Sequence, residues 1–276
     1  MTSATTVGAS VPALGPVVET LHREGVAGLP GLFPPEWADR LRADFEAAFA
    51  EARSRPDGTI PRGPHRHYFA VHPERIGGFL DLVGHPVVHA VSASVVGPDY
   101  RVVELGFDVP LAGAVDQPWH RDFPADPSSY EDHRLTSLAF NVTTVDVEPG
   151  MAPFEVAPGT HWDRGEDFDH GMLPGPEAAE RYSARGSLRH PRRGDVSVRT
   201  GLTIHRGTRN LLGRPRAVLI LGVAAPDVDT SVHGLVATAD WLRTVPEEVA
   251  AHLDVTVVDA LRPIVQRHDI EGLVMG

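Results

Sequence analysis

The sequence predicts a mainly β chain with flanking helices, its centre a sandwich or barrel. Three observations carry this. From Tyr100 to about Ala225, short runs rich in β-formers alternate with turn residues. Ahead of that region, apolar residues recur every three or four positions, the period of a helix that buries one face. Within it, residues two apart share a strand face, as His120 with Asp122 and Arg216 with Val218 and Ile220.

Residues 1–12 are small and polar and are expected to be disordered. Residues 14–24 suit a short helix ending near Gly25, and residues 26–32 a strand interrupted by Gly28, Pro30 and Gly31. Pro34-Pro35-Glu36 opens a second helix, since proline suits a first turn. Trp37, Leu41, Phe45, Ala48, Phe49 and Ala52 form its apolar stripe. Residues 58–67, rich in Gly, Pro and Arg, read as loop. A helix over 85–96 stops at Gly97-Pro98. The clearest strands are 101–107, 135–147, 154–157, 195–199 and 216–223. Two connections are long, 124–134 and 160–186, and long connections in a compact domain tend to be functional or mobile. The second has many charges and few large apolar anchors, so it is expected to be a mobile lid. The tail from Asp227 carries a helical stretch near 246–253 and an apolar end at 264–274.

Composition narrows the function. A net charge of −12 argues against a broad nucleic-acid footprint. With no cysteine there are no disulfides and no thiolate metal sites. No run of about 18 apolar residues suggests a membrane span, and the N-terminus lacks a secretory pattern. A cytoplasmic protein is the expectation. All 25 basic residues are arginine, and the codon bias this implies points to a GC-rich bacterial source.

The chemistry gathers around Gln117-Pro118-Trp119-His120-Arg121-Asp122. On a strand, His120 and Asp122 reach the same side, and His205 lies downstream in a second β-rich run. Two histidines and one carboxylate with open positions make the facial triad of non-heme Fe(II) oxygenases. Taken alone, a His-x-Asp pair reads first as a surface pair, since short polar pairs recur by chance. Trp119 alternates to the opposite face and reads as core, and His161 reads as structural.

Flanking motifs add weight. Residues 24–33, Trp119-His120-Arg121-Asp122, residues 148–162 and residues 192–210 together resemble the phytanoyl-CoA dioxygenase family of Fe(II)/2-oxoglutarate oxygenases over nearly the whole chain. Arg121 departs from the pattern, since the family often has glutamine there. The resemblance implies one domain over 1–276, with a helical support at 13–99, a double-stranded β-helix (jelly-roll, cupin-like) core at 100–225 and an extension at 226–276. It implies Fe(II) on His120, Asp122 and His205, with O2 and 2-oxoglutarate as co-substrates. Arg216 follows His205 by eleven residues, the family's spacing for the arginine that grips the distal carboxylate of 2-oxoglutarate. Gln117 and Asn141 are weaker candidates for that pocket. The reaction expected is oxidation of a small molecule in secondary metabolism, such as antibiotic biosynthesis. Hydroxylation leads, with epimerisation, cyclisation or desaturation as alternatives. Two readings from other classes stand beside it: a binding protein on an inactive barrel, and a zinc hydrolase, which would leave Arg216 without a task.

Overall fold

The computed structural model describes residues 13–124, 127–228 and 234–267. The expectation of disorder at 1–12 and most of the apolar end at 264–274 lie outside them.

Helix α1 (Leu14–Glu24) ends at Gly25, whose φ of 74° is left-handed and whose N–H closes on the Leu21 carbonyl at 2.8 Å. A side chain there would also collide with Thr203 and His161, so glycine serves twice. Strand β1 (Val26–Leu29) follows, then α2 (Pro35–Arg53), with its proline in the first turn. Next come β2 (Ile60–Pro61), β3 (Arg66–Ala70), α3 (Phe79–Val83) and α4 (Pro86–Val95). Residues 58–67 therefore are not all loop. A proline on the short edge strand β2 and a buried arginine on β3 hide the strand pattern.

The β region begins with β4 (Arg101–Pro110). It continues through α5 (Pro127–Glu131), β5 (Ser137–Thr143), β6 (Phe154–Val156), α6 (Pro176–Arg185) and β7 (Ser187–Arg189). Then come β8 (Val196–Thr200), β9 (His205–Gly207) and β10 (Val218–Ala224). After residue 233, β11 (Leu235–Thr238), α7 (Ala239–Leu242), α8 (Glu247–Ala250) and β12 (Val255–Val258) finish the described chain. Among the described residues no helix is long and apolar enough to cross a membrane.

Among the described residues a seven-stranded sheet runs β1-β8-β5-β10-β4-β3-β2, antiparallel throughout, and a three-stranded sheet runs β7-β6-β9. Alternation gives the large sheet two different faces. Phe69, Leu105, Phe107, Phe140, Val198, Leu219 and Leu221 point to the helices, where they pack with Trp37, Leu41, Phe45, Val88 and Val91. The Phe45 and Phe107 rings lie 5.2 Å apart in the middle of this layer. Truncating one such ring would cost about 3–5 kcal/mol. The other face, with Ser197, Arg199, Asn141 and Ile220, lines a cavity of about 1600 Å³ whose far wall includes Phe154 and His205 of the small sheet. Two sheets enclosing a pocket is the jelly-roll architecture. Residues 264–267 also line the cavity, and the Gln266 side chain bonds both the N–H (2.9 Å) and the C=O (3.0 Å) of Ala70.

Candidate active site

His120 and His205 pair as an isolated antiparallel bridge. His205 lies on β9, whereas His120 lies in irregular chain and not on the strand expected for it and Asp122. Each backbone N–H donates to the other's carbonyl at 2.9 Å. This puts the imidazoles side by side, their centroids 4.4 Å apart, and the next turn brings Asp122 to them. Ligand-capable atoms of His120, Asp122 and His205 all lie within 4.8 Å of one another. The sequence spacing between Asp122 and His205 is long, but the sheet closes it.

The donor set suits a divalent ion such as Fe(II). Nδ1–H of His120 donates to the Pro118 carbonyl at 2.9 Å, and Nδ1–H of His205 to the Thr203 carbonyl at 2.8 Å. Each bond fixes a tautomer that leaves Nε2 as a lone pair facing its neighbours. Burial pushes the His120 pKa down to about 4, partly opposed by its backbone bond and by Asp122. Burial also puts His205 well below the usual range, helped by the charge of Arg199. Both rings are therefore neutral at pH 7, as ligands must be. Burial works against the charge on Asp122, but Arg199 and the histidines outweigh it and hold the carboxyl down at about 2. Nitrogen and carboxylate donors without thiolate fit ferrous iron.

Arg199 is one of the residues that sequence reasoning missed, with Arg66 and Asp108 of a second charged group. The terminal nitrogens of Arg199 contact both carboxylate oxygens of Asp122, one of them at 3.1 Å. It is 5% exposed and lies over the Phe154 ring. The signal was present: Ser197 and Arg199 alternate with Val196 and Val198, so a charge had to face the cavity.

A second charged group lies where β3, β4 and β10 adjoin. Arg66 and Arg216 share the Asp108 carboxylate, at 3.0 and 3.4 Å. Both arginines are buried, and among the described residues neither Nε atom has a partner. Burial lowers the Arg216 pKa to about 10, with Asp108 opposing and Arg66 assisting. Two guanidiniums on one carboxylate leave a net positive charge facing a cavity, a site suited to an anion. Arg214, by contrast, is exposed and paired with Glu148.

Gln117 and Asn141 both line the cavity, differently. The Gln117 side-chain oxygen accepts from the Gly207 N–H (3.0 Å) and from Arg66 (3.3 Å), and its amide donates to the Arg62 carbonyl at 3.3 Å. It therefore braces Arg66. Asn141, between Ser197 and Ile220 in the register, has no hydrogen bond to its side chain among the described residues. Trp119 is buried with Ile204, Ala157 and Tyr182, and its Nε1–H donates to Ser183 at 2.8 Å. His161 is fully buried, bonds the His22 carbonyl at 3.1 Å and packs beneath Gly25.

The long connection at 160–186 differs from expectation. It contains the helix α6, and it buries Met172 and Tyr182. Arg121, between the two candidate ligands, points away from them and donates to Tyr130 and, at 2.7 Å, to the Asp163 carbonyl. Its guanidinium lies 4.8 Å from the Phe168 centroid. The apolar anchors are few in sequence yet well used.

Residues 21–218 match the family model described as phytanoyl-CoA dioxygenase. Among solved structures the chain is similar to AviO1 from Streptomyces viridochromogenes Tue57, at 19% identity over 80% of this chain and 98% of that one, with a TM-score of 0.58. SnoK, a non-heme alpha ketoglutarate dependent carbocyclase from nogalamycin biosynthesis, matches at 19% identity over 77% of this chain and 84% of its own, with a TM-score of 0.63. HygX from Streptomyces hygroscopicus, solved with nickel and 2-oxoglutarate bound, matches at 19% identity over 82% of this chain and 90% of its own, with a TM-score of 0.59. At this identity the likeness speaks to the fold.

Proposed function

Because the chain belongs to the phytanoyl-CoA dioxygenase family of non-heme Fe(II)/2-oxoglutarate oxygenases, we propose that it oxidises a small organic molecule at the cavity between its two sheets. We assign iron to His120, Asp122 and His205, and the distal carboxylate of 2-oxoglutarate to Arg216. The observation that carries this reading is the pairing of a neutral-His, ionised-Asp cluster with a buried arginine pair holding unbalanced positive charge in the same cavity. Bacterial secondary metabolism, such as antibiotic biosynthesis, is the setting supported by the similarity to a carbocyclase from nogalamycin biosynthesis. Hydroxylation is the proposed outcome. Epimerisation, cyclisation and desaturation begin from the same oxidation.

When bound, iron and 2-oxoglutarate supply the oxidising chemistry, consuming O2 and releasing succinate and carbon dioxide. The chain supplies position and dryness. The carbonyls of Pro118 and Thr203 hold both imidazoles in the ligating tautomer. Arg216 clamps one end of a dicarboxylate, Arg66 keeps Asp108 from neutralising it fully, and Gln117 fixes Arg66 in place. A cavity of about 1600 Å³ has room for a second molecule beside the co-substrate, since pockets for one drug-sized ligand span about 300–1,000 Å³.

The test is metal analysis of the purified protein, a 2-oxoglutarate titration, and a substrate screen read as succinate release. One bound iron per chain and succinate release stimulated by a substrate are expected. Tight zinc with no 2-oxoglutarate binding would replace this reading with hydrolysis, and ligand binding without turnover would replace it with a binding protein.

A further inference from the structure

Across the cavity floor the register aligns four residues in one row. Arg199 lies opposite Ala139, Ala139 opposite Gly222, and Gly222 opposite Glu104. Directly opposed residues share a face, and all four line the cavity. Arg199 and Glu104 thus stand at the two ends of a floor made of the two smallest side chains. Three strand spacings of about 4.8 Å put their Cα atoms about 14 Å apart. Arg199 marks the end beside Asp122, and Glu104 marks the far end.

The far end is built around Glu104. Tyr68 lies across Gly106, where a Cβ would come within 2.4 Å of its hydroxyl oxygen, and donates that hydroxyl to Glu104 Oε1. Glu104 in turn leans over Gly222, where a Cβ would come within 2.9 Å of Oε2. The ladder between β10 and β4 shifts register just after Gly222, a bulge of the kind that re-aims side chains at active sites. These features together present one carboxylate oxygen to the cavity while the other is held.

Glu104 is also electrostatically unlike the other acids of this cavity. Asp108 has Arg66 and Arg216, Asp122 has Arg199, and Asp227 has Arg134. Glu24 has Arg23, and Asp195 accepts the backbone N–H groups of Gly31 and Arg192. Among the described residues no cationic side chain lies within 4.0 Å of the Glu104 carboxylate. Arg62 is near, but its guanidinium sits over the Tyr68 ring, 4.9 Å from the centroid. A half-buried carboxylate with one oxygen held and no counter-ion is matched by a charged donor from the ligand.

We propose that Glu104, held by Tyr68, receives an ammonium group of the substrate. The substrate class is then an amine on a polar, ring-sized scaffold, with the amine at the end remote from the carbon that is oxidised. This rests on the reading of the cavity as the active site, and the test separates the two.

The protein, loaded with Mn(II) and 2-oxoglutarate without oxygen, is titrated calorimetrically with 2-deoxystreptamine and with myo-inositol, a neutral ring of similar size. Wild type should prefer the diamine by about tenfold or more, the effect of about 1.4 kcal/mol. Glu104→Gln keeps an acceptor for Tyr68 and should abolish the preference, with 2-oxoglutarate titrating as before. Tyr68→Phe keeps the charge and should weaken the preference less than Glu104→Gln. No preference in wild type, a preference that survives Glu104→Gln, or an equal loss in Tyr68→Phe overturns the assignment. If wild type fails to bind 2-oxoglutarate, the oxygenase reading falls. The diamine preference is then measured on the unloaded protein, where it stands or falls by itself.

Discussion

Arg199 and Asp122 form a two-pronged ion pair in which both carboxylate oxygens face one guanidinium. The same guanidinium adds positive charge beside His205 and His120 and depresses both. A metal ion entering this cluster would meet a cation that already holds one of the candidate ligands. At about 4 Å in protein surroundings, two like charges oppose each other by several kcal/mol before screening. Arg199→Met should therefore bind Mn(II) about tenfold tighter than wild type by calorimetry. Weaker binding would show instead that Arg199 is needed to orient Asp122.

The buried histidines give the metal-free protein a defined pH dependence. His120 titrates at about 4 when folded, against 6.5 when exposed. Between those values the unfolded chain binds more protons, so stability rises with pH. The contribution is complete above about 6.5 and is lost as the pH falls toward 4. Urea midpoints of the metal-free protein should fall across this window, and His120→Asn should flatten the slope. A wild-type profile that is level there would contradict the neutral, desolvated imidazoles on which the metal assignment rests.

Arg216→Ala should raise the dissociation constant for 2-oxoglutarate while leaving metal content intact. Loss of one partner of a desolvated charge pair costs about 2–5 kcal/mol, or tens to thousands-fold in affinity. Arg66 stays behind with Asp108 and cannot substitute, because its other contacts are the Thr208 carbonyl and Gln117. The measurement is a 2-oxoglutarate titration of the metal-loaded variant. An unchanged constant would move the carboxylate grip to another cation.

Much of the fold was legible because the large sheet is apolar on one face and polar on the other. Val196 and Val198 against Ser197 and Arg199 state the period directly, while β10 reads as a continuous apolar run, the mark of a buried central strand. The helices α1, α2 and α4 announced themselves through apolar spacing with Gly25, Pro35 and Gly97 at or near their ends. The candidate triad and Arg216 were legible from spacing and flanking motifs. The rest of the cavity was not. Arg66, Arg199 and Glu104 are charged residues on strands, and charge on a strand reads as solvent-facing unless the interior is itself polar. Their partners lie 42, 77 and 36 positions away, distances that only the closed barrel makes short. Helix α6 was missed for a different reason. Pro176 and the run after it carry a helix signal, but only Tyr182 of that helix is buried, so the apolar stripe is too thin to stand out.

The last prediction concerns the segment at 160–186, which is tied at Arg121 to the stretch that carries two of the candidate metal ligands. Arg121 is 1% exposed and lies between His120 and Asp122 in sequence. Its own backbone N–H donates to the Met172 carbonyl at 3.2 Å, and its side chain reaches Tyr130, Asp163 and the Phe168 ring. One residue therefore joins both long connections to the candidate ligands, and Met172 brings the segment to the cavity wall. Deleting this segment should loosen the metal cluster, which an inert surface insertion or a freely hinged lid would leave intact. Arg121→Ala removes the same tie with less disturbance and should cost about 2–4 kcal/mol of stability, the range for a disrupted buried network. It should also weaken metal binding and raise the fraction of 2-oxoglutarate consumed without product, because the cavity wall is no longer held closed. Arg121→Gln, which keeps donors but no charge, should fall between. If Arg121→Ala keeps full metal affinity and full coupling of succinate to product, the segment has no mechanical link to the site.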